Sequence, residues 1–333
     1  MTIARPTGVV RREAAQGLTL PEAGVAEVVV DLSVSSAHDR VELVLWHDSA
    51  LAGAEPGEKV TVALGDAGDD DDVLTAEVAG VARAGAGALL TAYAPSRRLS
   101  STRVARSYLR QTVADVVGDL LDAGGVDAGT LEAPQDLPAV HVDGARPAWQ
   151  HVHHLAALVG AQVTSDPDGA VSVAPAPGAS PSGGLGGALG AAAGALGGGG
   201  GAELRLAANV LEWRVGPRRA EPEPTRAVVA LGAASRLGAE QWYHLEAEPE
   251  GTSDPVTVAA LARDRDLAGV ATTARADAAR RRAVSGRVRV PGDPSLRAGG
   301  TVTLDSTSYR VLSVRHRLSR DAGYVCDVVV EGT

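Results

Sequence analysis

Three histidines close together near the middle of the chain are the residues best suited to bind a metal ion. His151 and His154 are three positions apart and share one face of a helix, whereas His153 points elsewhere. His141 lies nearby, but no carboxylate, Cys or third His falls at a spacing that completes a site. The pattern therefore favours polar histidines on a partly exposed helix, and we expect no metal and no cofactor.

A run of aspartates forms a second group of candidate ligands, at Asp66 and then from Asp69 to Asp72. Hard cations bind several carboxylate oxygens, so the run has the composition of a calcium loop. It lacks the terminal Glu and the flanking helices of an EF-hand. A solvated hairpin tip between two strands is the favoured interpretation, and its charge would discourage pairing with wrong strands.

Two further chemical patterns are incomplete. The glycines between Gly183 and Gly201 include spacings of the GxGxxG type, but no βαβ unit surrounds them. Ser, His and Asp residues occur without the GxSxG motif of a hydrolase nucleophile. We therefore expect no catalytic residues and a protein that is not an enzyme.

The remaining candidates are residues for packing or contact with partners. Arg280, Arg281 and Arg282 end a predicted helix, where cations offset the helix dipole, and a salt bridge to a neighbouring subunit is the alternative. Only 3% of the residues are aromatic, so each tryptophan is expected in a core. Trp149, beside Pro147, is the candidate for packing between two β-domains. The four tryptophans are Trp46, Trp149, Trp213 and Trp242.

Composition excludes one class of partner. The 333 residues include 31 basic and 41 acidic side chains, with a net charge of -10. Affinity for nucleic acid depends on clustered Lys and Arg that release counterions from phosphates, so we expect no nucleic-acid partner. Apolar residues make up 45% of the chain but include no Phe. The length allows two or three domains, with cores of small side chains.

Neither a disulfide nor a membrane segment is expected. Cys326 is the single cysteine, and we expect it to be a small buried hydrophobe in a strand. The N-terminus has Arg5, Arg11 and Arg12 but no apolar run of signal-peptide length, and no apolar stretch is long enough to span a membrane. Cytoplasmic synthesis without membrane integration is the expectation.

Strands must position most of these residues. We expect residues 1–24 to form an N-terminal arm and residues 25–100 to form a first β-barrel, because five alternating runs at short intervals are typical of a small antiparallel barrel. The five predicted strands are Val25–Val34, Asp39–Trp46, Lys59–Leu64, Val73–Ala82 and Ala88–Ala94.

Residues 101–161 are predicted to be a helical insertion. An apolar face at helical spacing begins at Val104, and Ser101 or Thr102 can cap that helix. A second helix is predicted to begin at Pro147, since proline suits the first turn.

Residues 162–333 are predicted to form a second β-barrel that begins with a hairpin about a Pro-Asp-Gly turn. It would contain a Gly-rich insertion at 175–201, which has too little side-chain area to build a core. A long helix near 254–284 would be capped by Asp254, with Pro255 in its first turn. The predicted fold class is mainly β with inserted helices (α+β), comprising two small antiparallel β-barrels with a helical insertion.

The segment from Arg287 to Thr333 has the most specific pattern. Alternating strands such as Thr301–Leu304 are separated by turns that contain Pro and Gly. Gly-Asp-Pro-Ser-Leu at 292–296 precedes one strand, and a Tyr-Arg-Val strand that begins at Tyr309 leads into a hairpin containing His316. These motifs closely resemble the end of the hub domain in the phage late control D and VgrG family, the tail-tube-like baseplate hub proteins of contractile tails.

The resemblance covers roughly residues 25–331 and implies a structural role. Hub proteins of this family form homotrimeric rings in which each subunit contributes two similar barrels, so a ring fits a hexameric tail tube and a trimeric spike. The implied partners are the inner tube protein, the spike protein and other baseplate components, within a phage tail or an injection-system particle that can be released from the cell. Candidates for interaction or packing are Trp149, Arg280, Arg281, Tyr309 and His316.

Two alternatives remain open from the sequence. One is a metal-assisted hydrolase that uses His151 and His154, which stoichiometric zinc would support. The other is a hub-like protein of a non-contractile tail, which differs in its partners and not in its fold. VgrG-like members continue into a spike, whereas this sequence stops at Thr333, so the spike is expected to be a separate polypeptide.

Overall fold

Strands form most of the described structure and are accompanied by four α-helices, so the chain is mostly β, as expected for an α+β protein. Most of the Gly-rich insertion expected at 175–201, and also Trp242, lie outside the described residues. The computed structural model describes residues 6–12, 17–35, 37–66, 69–179, 202–206, 208–217, 226–232, 243–246, 253–258 and 265–333.

The first part of the chain forms seven strands: β1 (Pro6–Arg12), β2 (Leu18–Thr19), β3 (Val25–Ser33), β4 (Arg40–Trp46), β5 (Lys59–Asp66), β6 (Asp69–Ala84) and β7 (Gly87–Tyr93). The five predicted strands are confirmed as β3 to β7, because alternate side chains such as Val28 and Val30 are buried. Residues 6–12, which the sequence placed in an arm, instead pair with β5. Burial of Val10 in the core explains this difference.

The middle of the chain comprises α1 (Arg98–Ser101), β8 (Arg106–Thr112), α2 (Val113–Ala123), β9 (Ala128–Leu131), β10 (Asp136–Val142), α3 (Ala148–Leu158), β11 (Ala161–Ser165) and β12 (Val171–Pro175). The first predicted helix begins later than expected, at Val113, because Thr112 and Asp115 form a reciprocal capping box. The second predicted helix is confirmed as α3, which follows Pro147. The predicted hairpin is confirmed as β11 and β12.

The last part comprises β13 (Ala202–Leu204), β14 (Glu212–Pro217), β15 (Arg226–Gly232), β16 (Tyr243–Glu246), β17 (Ser253–Val258), α4 (Arg265–Arg282), β18 (Val284–Pro291), β19 (Thr301–Leu304), β20 (Thr307–Ser319) and β21 (Gly323–Gly332). The long predicted helix is wrong in its first part, since Asp254 and Pro255 lie in β17 and the helix is described from Arg265. Pairing of β17 with the distant β15 outweighs the local capping signal.

One sheet of thirteen strands contains strands from the first part and from the last part of the chain. Eight of its strands are neighbours in the order β14-β18-β21-β20-β3-β4-β7-β6. This order contains two groups of four, and β20 of one group pairs with β3 of the other. The described strands therefore form a ladder that continues from one part to the other and do not close into either of the two predicted barrels.

The two groups have the same internal arrangement. We call β3 to β7 the N-terminal block, and β14 with β18 to β21 the C-terminal block. In each block the first strand pairs with the second, the second with the fifth, the fifth with the fourth and the fourth with the third. The fourth strand is long in both blocks, with a bulge at Ala79 in β6 and at Leu312 in β20. The chain thus contains a structural repeat.

Two hydrophobic clusters support this arrangement. One is built from both blocks and includes Val30, Leu90, Val314 and Val328, so the blocks share a continuous core. The other belongs to the helical middle part and is extended by Leu267 of α4. Val, Leu and Ala make up most of both clusters, and the aromatic members are Tyr324 in the first and Tyr108 and Trp149 in the second.

Candidate functional site: the free edges and the concave face of the sheet

The eight-strand ladder has two free edges among the described residues. β14 pairs with β18 on one side only. β6 pairs with β5 through residues 69–77 and, on its opposite side, with β7 through residues 77–84. The segment from Gly80 to Ala84 is therefore paired on one side only. Unpaired backbone N–H and C=O groups at such edges are available to another strand.

The join between the two blocks shows how such an edge is used. The part of β20 that follows its bulge pairs with β3 through seven register positions, from Ser313 opposite Ser33 to Ser319 opposite Glu27. The corresponding part of β6, after the bulge at Ala79, has no strand on the equivalent side in the part of the chain that the structure describes. Among the described residues, β6 of the N-terminal block thus lacks the neighbouring strand that β20 of the C-terminal block has in β3.

Exposed side chains accompany both edges. Leu211, just before β14, and Trp213, within it, are 59% and 49% exposed. Trp213 is opposite Val288, so it lies on the core side of the sheet at its open end. On β6, Ala82 and Arg83 are exposed. Large apolar side chains at an open strand edge are typical of surfaces that contact another protein.

The face of the sheet that points away from the core is concave and charged. It encloses a groove of about 1030 Å³ bordered by β3, β14, β18, β20 and β21. Cross-strand ion pairs line this face: Arg315 donates to Asp31 at 2.6 Å, Arg317 to Glu27 at 2.5 Å and Arg289 to Asp327 at 2.7 Å. The first two pairs join β20 to β3, so opposite charges reinforce the register of the join between blocks.

Arg214 and Arg287 differ from these pairs. They are direct cross-strand partners on β14 and β18, and both are exposed and border the groove. Among the described residues, no acidic side chain forms an ion pair with either of them. Two like charges therefore face each other on adjacent strands.

The structure places Trp149 between the helical part and the N-terminal block. Its ring is 4.7 Å from the ring of His38, in the loop before β4, and 4.4 Å from the ring of His153. Trp149 is 6% exposed. Burial lowers the pKa of both histidines to about 4, so they are neutral at pH 7. Whether Trp149 also acts between subunits stays a prediction.

The arginines at the end of α4 occupy different environments. Arg280 is exposed and forms an ion pair with Asp277. Arg281 is 4% exposed, and its Nε is 3.6 Å from Oε1 of Glu331. In the part of the chain that the structure describes, its Nε and Nη1 have no hydrogen-bond acceptor, and burial lowers the pKa of this guanidinium. Arg281 thus contacts its own chain, and the predicted contact of Arg280 with a subunit stays a prediction.

The two candidates of the C-terminal segment contribute to the core. Tyr309 is partly buried against the shared cluster of the blocks. His316 is completely buried, with Nδ1 2.9 Å from the Tyr324 hydroxyl and Nε2 3.0 Å from the carbonyl oxygen of Leu296. Burial lowers the pKa of His316 to about 4. The neighbouring Cys326 is also buried, and burial raises the pKa of its thiol to about 12.

The histidines of α3 are arranged as parts of a packed helix. His151 is buried, and its Nε2 lies 3.0 Å from the carbonyl oxygen of Asp143. Burial lowers the pKa of His154. His141 lies on β10, and its Nδ1 is 3.0 Å from the hydroxyl of Ser107. The described residues contain no group of three or more His, Cys, Asp or Glu side chains that could hold a metal ion.

The hairpin expected at the aspartate run is confirmed between β5 and β6, but Asp69 to Asp72 lie within β6 and pair with β5, so they are not at the tip of the hairpin. Thr7 donates to Asp70 at 2.5 Å, and Arg11 forms an ion pair with Asp72. Both contacts come from β1. The carboxylates therefore help to hold β1 against this hairpin.

Sequence reasoning missed a residue that joins three parts of the molecule. Arg297, in the loop between β18 and β19, donates through Nη1 to the carbonyl oxygen of Val73 at 2.5 Å and through Nη2 to that of Ser165 at 3.3 Å. Asp39 is 4% exposed nearby, and burial raises its pKa to about 6. No local motif marks Arg297, because its partners are more than a hundred residues distant.

None of the helices in the described ranges combines the length and the apolar character needed to cross a lipid bilayer.

Known structures share this fold, although no protein-family model and no curated protein sequence matches the chain. The tail protein from Neisseria meningitidis MC58 aligns over 98% of this chain and 96% of its own, with a TM-score of 0.69 and 16% identity. The 43 kDa tail protein of prophage MuSo2 from Shewanella oneidensis aligns over 98% of both chains, with a TM-score of 0.63 and 14% identity.

A third similar structure is an Escherichia coli component of the type VI secretion system, described as structurally similar to the bacteriophage T4 tail proteins gp27 and gp5. It aligns over 97% of this chain and 76% of its own, with a TM-score of 0.59 and 13% identity. The chain therefore has the fold of phage tail proteins and of a type VI secretion component.

Proposed function

We propose that this protein is a structural baseplate hub of a phage tail or a contractile injection system, and that it forms a homotrimeric ring between a hexameric inner tube and a trimeric spike. The observation that carries the proposal is the internal repeat, in which two blocks with the same strand arrangement are joined edge to edge. A chain that carries two equivalent blocks presents six similar units when three chains assemble, while its exact symmetry is threefold.

The ring closes by repeating the join that exists within the chain. In the chain, the fourth strand of the C-terminal block pairs with the first strand of the N-terminal block. Between chains, the fourth strand of the N-terminal block, β6, pairs with the first strand of the C-terminal block, β14, of the next copy. Both edges are free and exposed among the described residues. Such a head-to-tail contact uses two different surfaces of one protein, and it forms a closed ring when the rotation between neighbouring copies is one third of a turn.

The concave side of the sheet then lines the channel of the ring. The hydrophobic core lies on the opposite face of the sheet. In this arrangement each block would form one of the two barrel-like units expected from the sequence. The proposed partners are the inner tube protein on the sixfold side, and the spike protein and further baseplate components on the threefold side.

Similarity in fold to tail proteins and to a type VI secretion component supports a structural role within a tail-like particle. We propose that the protein is not an enzyme and that it acts after incorporation into such a particle. Its free energy of assembly would come from backbone pairing and from burial of apolar edge residues such as Trp213.

The first test is the mass and symmetry of the purified protein. The hub proposal expects a ring of three times the 33.7 kDa chain mass, and class averages from electron microscopy should show six similar units around a central opening. A protein that stays monomeric at micromolar concentration, both alone and with its tube protein, would refute the proposal.

The second test locates the contact by disulfide trapping. Ala82 follows its bulge by three residues, as Arg315 follows the bulge at Leu312. Arg315 is opposite Asp31, whose counterpart in the C-terminal block is Gly216, near the end of β14. The variant Ala82→Cys/Gly216→Cys should form a covalent bond between chains on mild oxidation, because directly opposed Cα atoms are about 4.5–5.5 Å apart.

The matched control for this test is Ala82→Cys/Ser285→Cys. Ser285 is opposite Gly216 on β18, one strand further from the proposed contact. Two strand spacings amount to about 10 Å, which is beyond the reach of a disulfide. Equal trapping of both variants would contradict the pairing of β6 with β14.

A further inference from the structure

We propose that Arg214 and Arg287 form a binding site for a carboxylate-rich segment of another polypeptide on the concave face of the sheet. The site lies within one chain, so binding does not require the ring. Its repetition three times around a channel rests on the proposed function.

The first observation is the position of the two arginines. They are directly opposite each other on adjacent strands, and like charges in this position destabilise a sheet. Both side chains are exposed at the border of the groove. Elsewhere on this face, opposite charges pair across the strands. The repulsion between Arg214 and Arg287 therefore contributes nothing to the stability of the fold. An acidic ligand between the two guanidinium groups would turn the repulsion into attraction.

The second observation is that nearby carboxylates already have partners. Arg289, the next arginine along β18, is 2.7 Å from Asp327 and 3.8 Å from Glu212. Asp31 accepts from Arg315 and also from Arg40 at 2.8 Å. Arg214 and Arg287 are thus the members of this face that form no ion pair among the described residues, in a chain with a net charge of -10.

A neighbouring chain in the proposed ring would not neutralise the pair. The free part of β6 that would lie beside β14 has the sequence Gly80-Val81-Ala82-Arg83-Ala84 and contains no carboxylate. In the register of that join Ala84 would be opposite Arg214, and alanine offers no carboxylate. The join within the chain differs, since Arg315 and Arg317 there face Asp31 and Glu27. Arginines without an ion pair would therefore occur at the join between chains, beside β14, and not at the join within the chain, between β20 and β3.

The chemistry of the groove favours a peptide over a nucleic acid. A guanidinium group binds a carboxylate through two parallel hydrogen bonds. The same groove contains the carboxylates of Asp31, Asp327 and Glu212, which would repel phosphates that are fixed in a nucleic-acid backbone. A peptide carries its acidic groups on flexible side chains, so it can place two of them at the arginines and turn the others toward solvent. The groove volume, about 1030 Å³, is at the upper end of the usual range for ligand sites.

The test uses three fluorescently labelled probes of equal length: hexaglutamate, hexaglutamine and a six-residue oligothymidylate. Binding is measured by fluorescence anisotropy at low and at physiological salt. Wild-type protein should bind hexaglutamate in a salt-sensitive manner and should bind the other two probes at least about tenfold more weakly, a difference of about 1.4 kcal/mol.

The decisive variant is Arg214→Gln/Arg287→Gln, which should weaken hexaglutamate binding at least about tenfold with an unchanged melting temperature. The matched control is Arg110→Gln/Arg320→Gln, which makes the same change in charge at exposed positions outside the groove. Binding by the control should stay within about twofold of wild type, because screening limits the effect of distant surface charges.

Three outcomes overturn the inference: equal loss in both double variants, unchanged binding in the Arg214/Arg287 variant, or oligothymidylate binding as tight as that of hexaglutamate. The last outcome would identify a general polyanion surface. The hub proposal and the binding-site proposal can fail separately. A protein that stays monomeric but binds hexaglutamate through these two arginines would refute the hub and support the site. A protein that forms the ring but binds hexaglutamate equally well after both substitutions would support the hub and refute the site.

Discussion

Replacing Glu331 by Gln should destabilise the fold more than any exposed charge substitution, because Glu331 serves two buried arginines. Nη1 of Arg310 donates to Oε1 of Glu331 at 2.5 Å, and Nε of Arg281 is 3.6 Å from the same oxygen. The three residues are 9% exposed or less. Nε of Arg310 also donates to Gln162 of β11 at 3.0 Å. The carboxylate thus holds α4, β20 and β21 together.

The size of the effect follows from what remains buried. Glu331→Gln keeps the shape of the side chain but removes its charge, so the buried Arg310 and Arg281 both lose their ion pair with Glu331, while Arg281 keeps the attraction of Asp277. Breaking a buried ion pair from one side costs about 3–5 kcal/mol. The lowered pKa of Arg281, caused first by burial and then by the nearby Arg310, indicates that this position already disfavours a charge.

The assay is chemical unfolding monitored by circular dichroism, with Asp327→Asn as the matched control. Asp327 is also on β21 and also forms an ion pair with an arginine, but that pair is 39% and 47% exposed. Exposed pairs contribute about 0–1 kcal/mol. Equal losses of unfolding free energy in the two variants would refute the view that Glu331 is a buried counterion.

Three further predictions follow from the same geometry. Trp149→Ala should lower the unfolding free energy by about 3–5 kcal/mol and should increase amide hydrogen exchange around His38, whose ring Trp149 contacts; exchange confined to α3 would contradict this. Burial lowers the pKa of His316 to about 4, so between about pH 6.5 and pH 4 the histidine is protonated in the unfolded chain but neutral in the folded one. The free energy of unfolding should therefore fall by about 3 kcal/mol as the pH falls over that range. Urea titrations of His316→Gln should lack this part of the pH dependence. Gly292→Ala would place Cβ about 2 Å from the Tyr324 ring and should cost about 1–3 kcal/mol, whereas Gly53→Ala, with no atom within 4 Å, should be near neutral in thermal melts.

Strand positions could be predicted because their signals are local. Alternation of buried and exposed residues locates β3 to β7 and the strands after Val284, and turn residues separate them. The helix α3 was also predictable from Pro147 and its apolar face. These elements are specified by residues that lie within a few positions of one another.

The predicted elements were wrong where residues distant in the sequence determine the local structure. Residues 6–12 became a strand because β5 offers an open edge, a fact that no local pattern contains. The segment 253–258 resembles a helix start but pairs with β15. At Thr112 the signal was present and was outweighed by apolar spacing before it, although the capping box with Asp115 marks the helix start.

The candidate site could not be predicted from the sequence, because it also depends on residues that are distant in the chain. Arg214 and Arg287 are unremarkable in the sequence, and their meaning comes from a register that places them face to face. His316, by contrast, was noticed for its position in a hairpin, and the structure places it wholly inside the core. Residue type can indicate chemistry, but the register of a sheet determines which types meet.

In the proposed ring, the repeat would allow one chain to bind both a sixfold and a threefold partner. The join within the chain is reinforced by opposite charges, at Arg315 with Asp31 and at Arg317 with Glu27. The proposed join between chains would instead bring small residues of β6 beside Arg214. The backbone arrangement of the six joins would be alike, which suits a sixfold partner, whereas their side chains would alternate between paired and unpaired. A threefold partner could distinguish the two kinds of join by charge alone, and it would bind where the arginines are free.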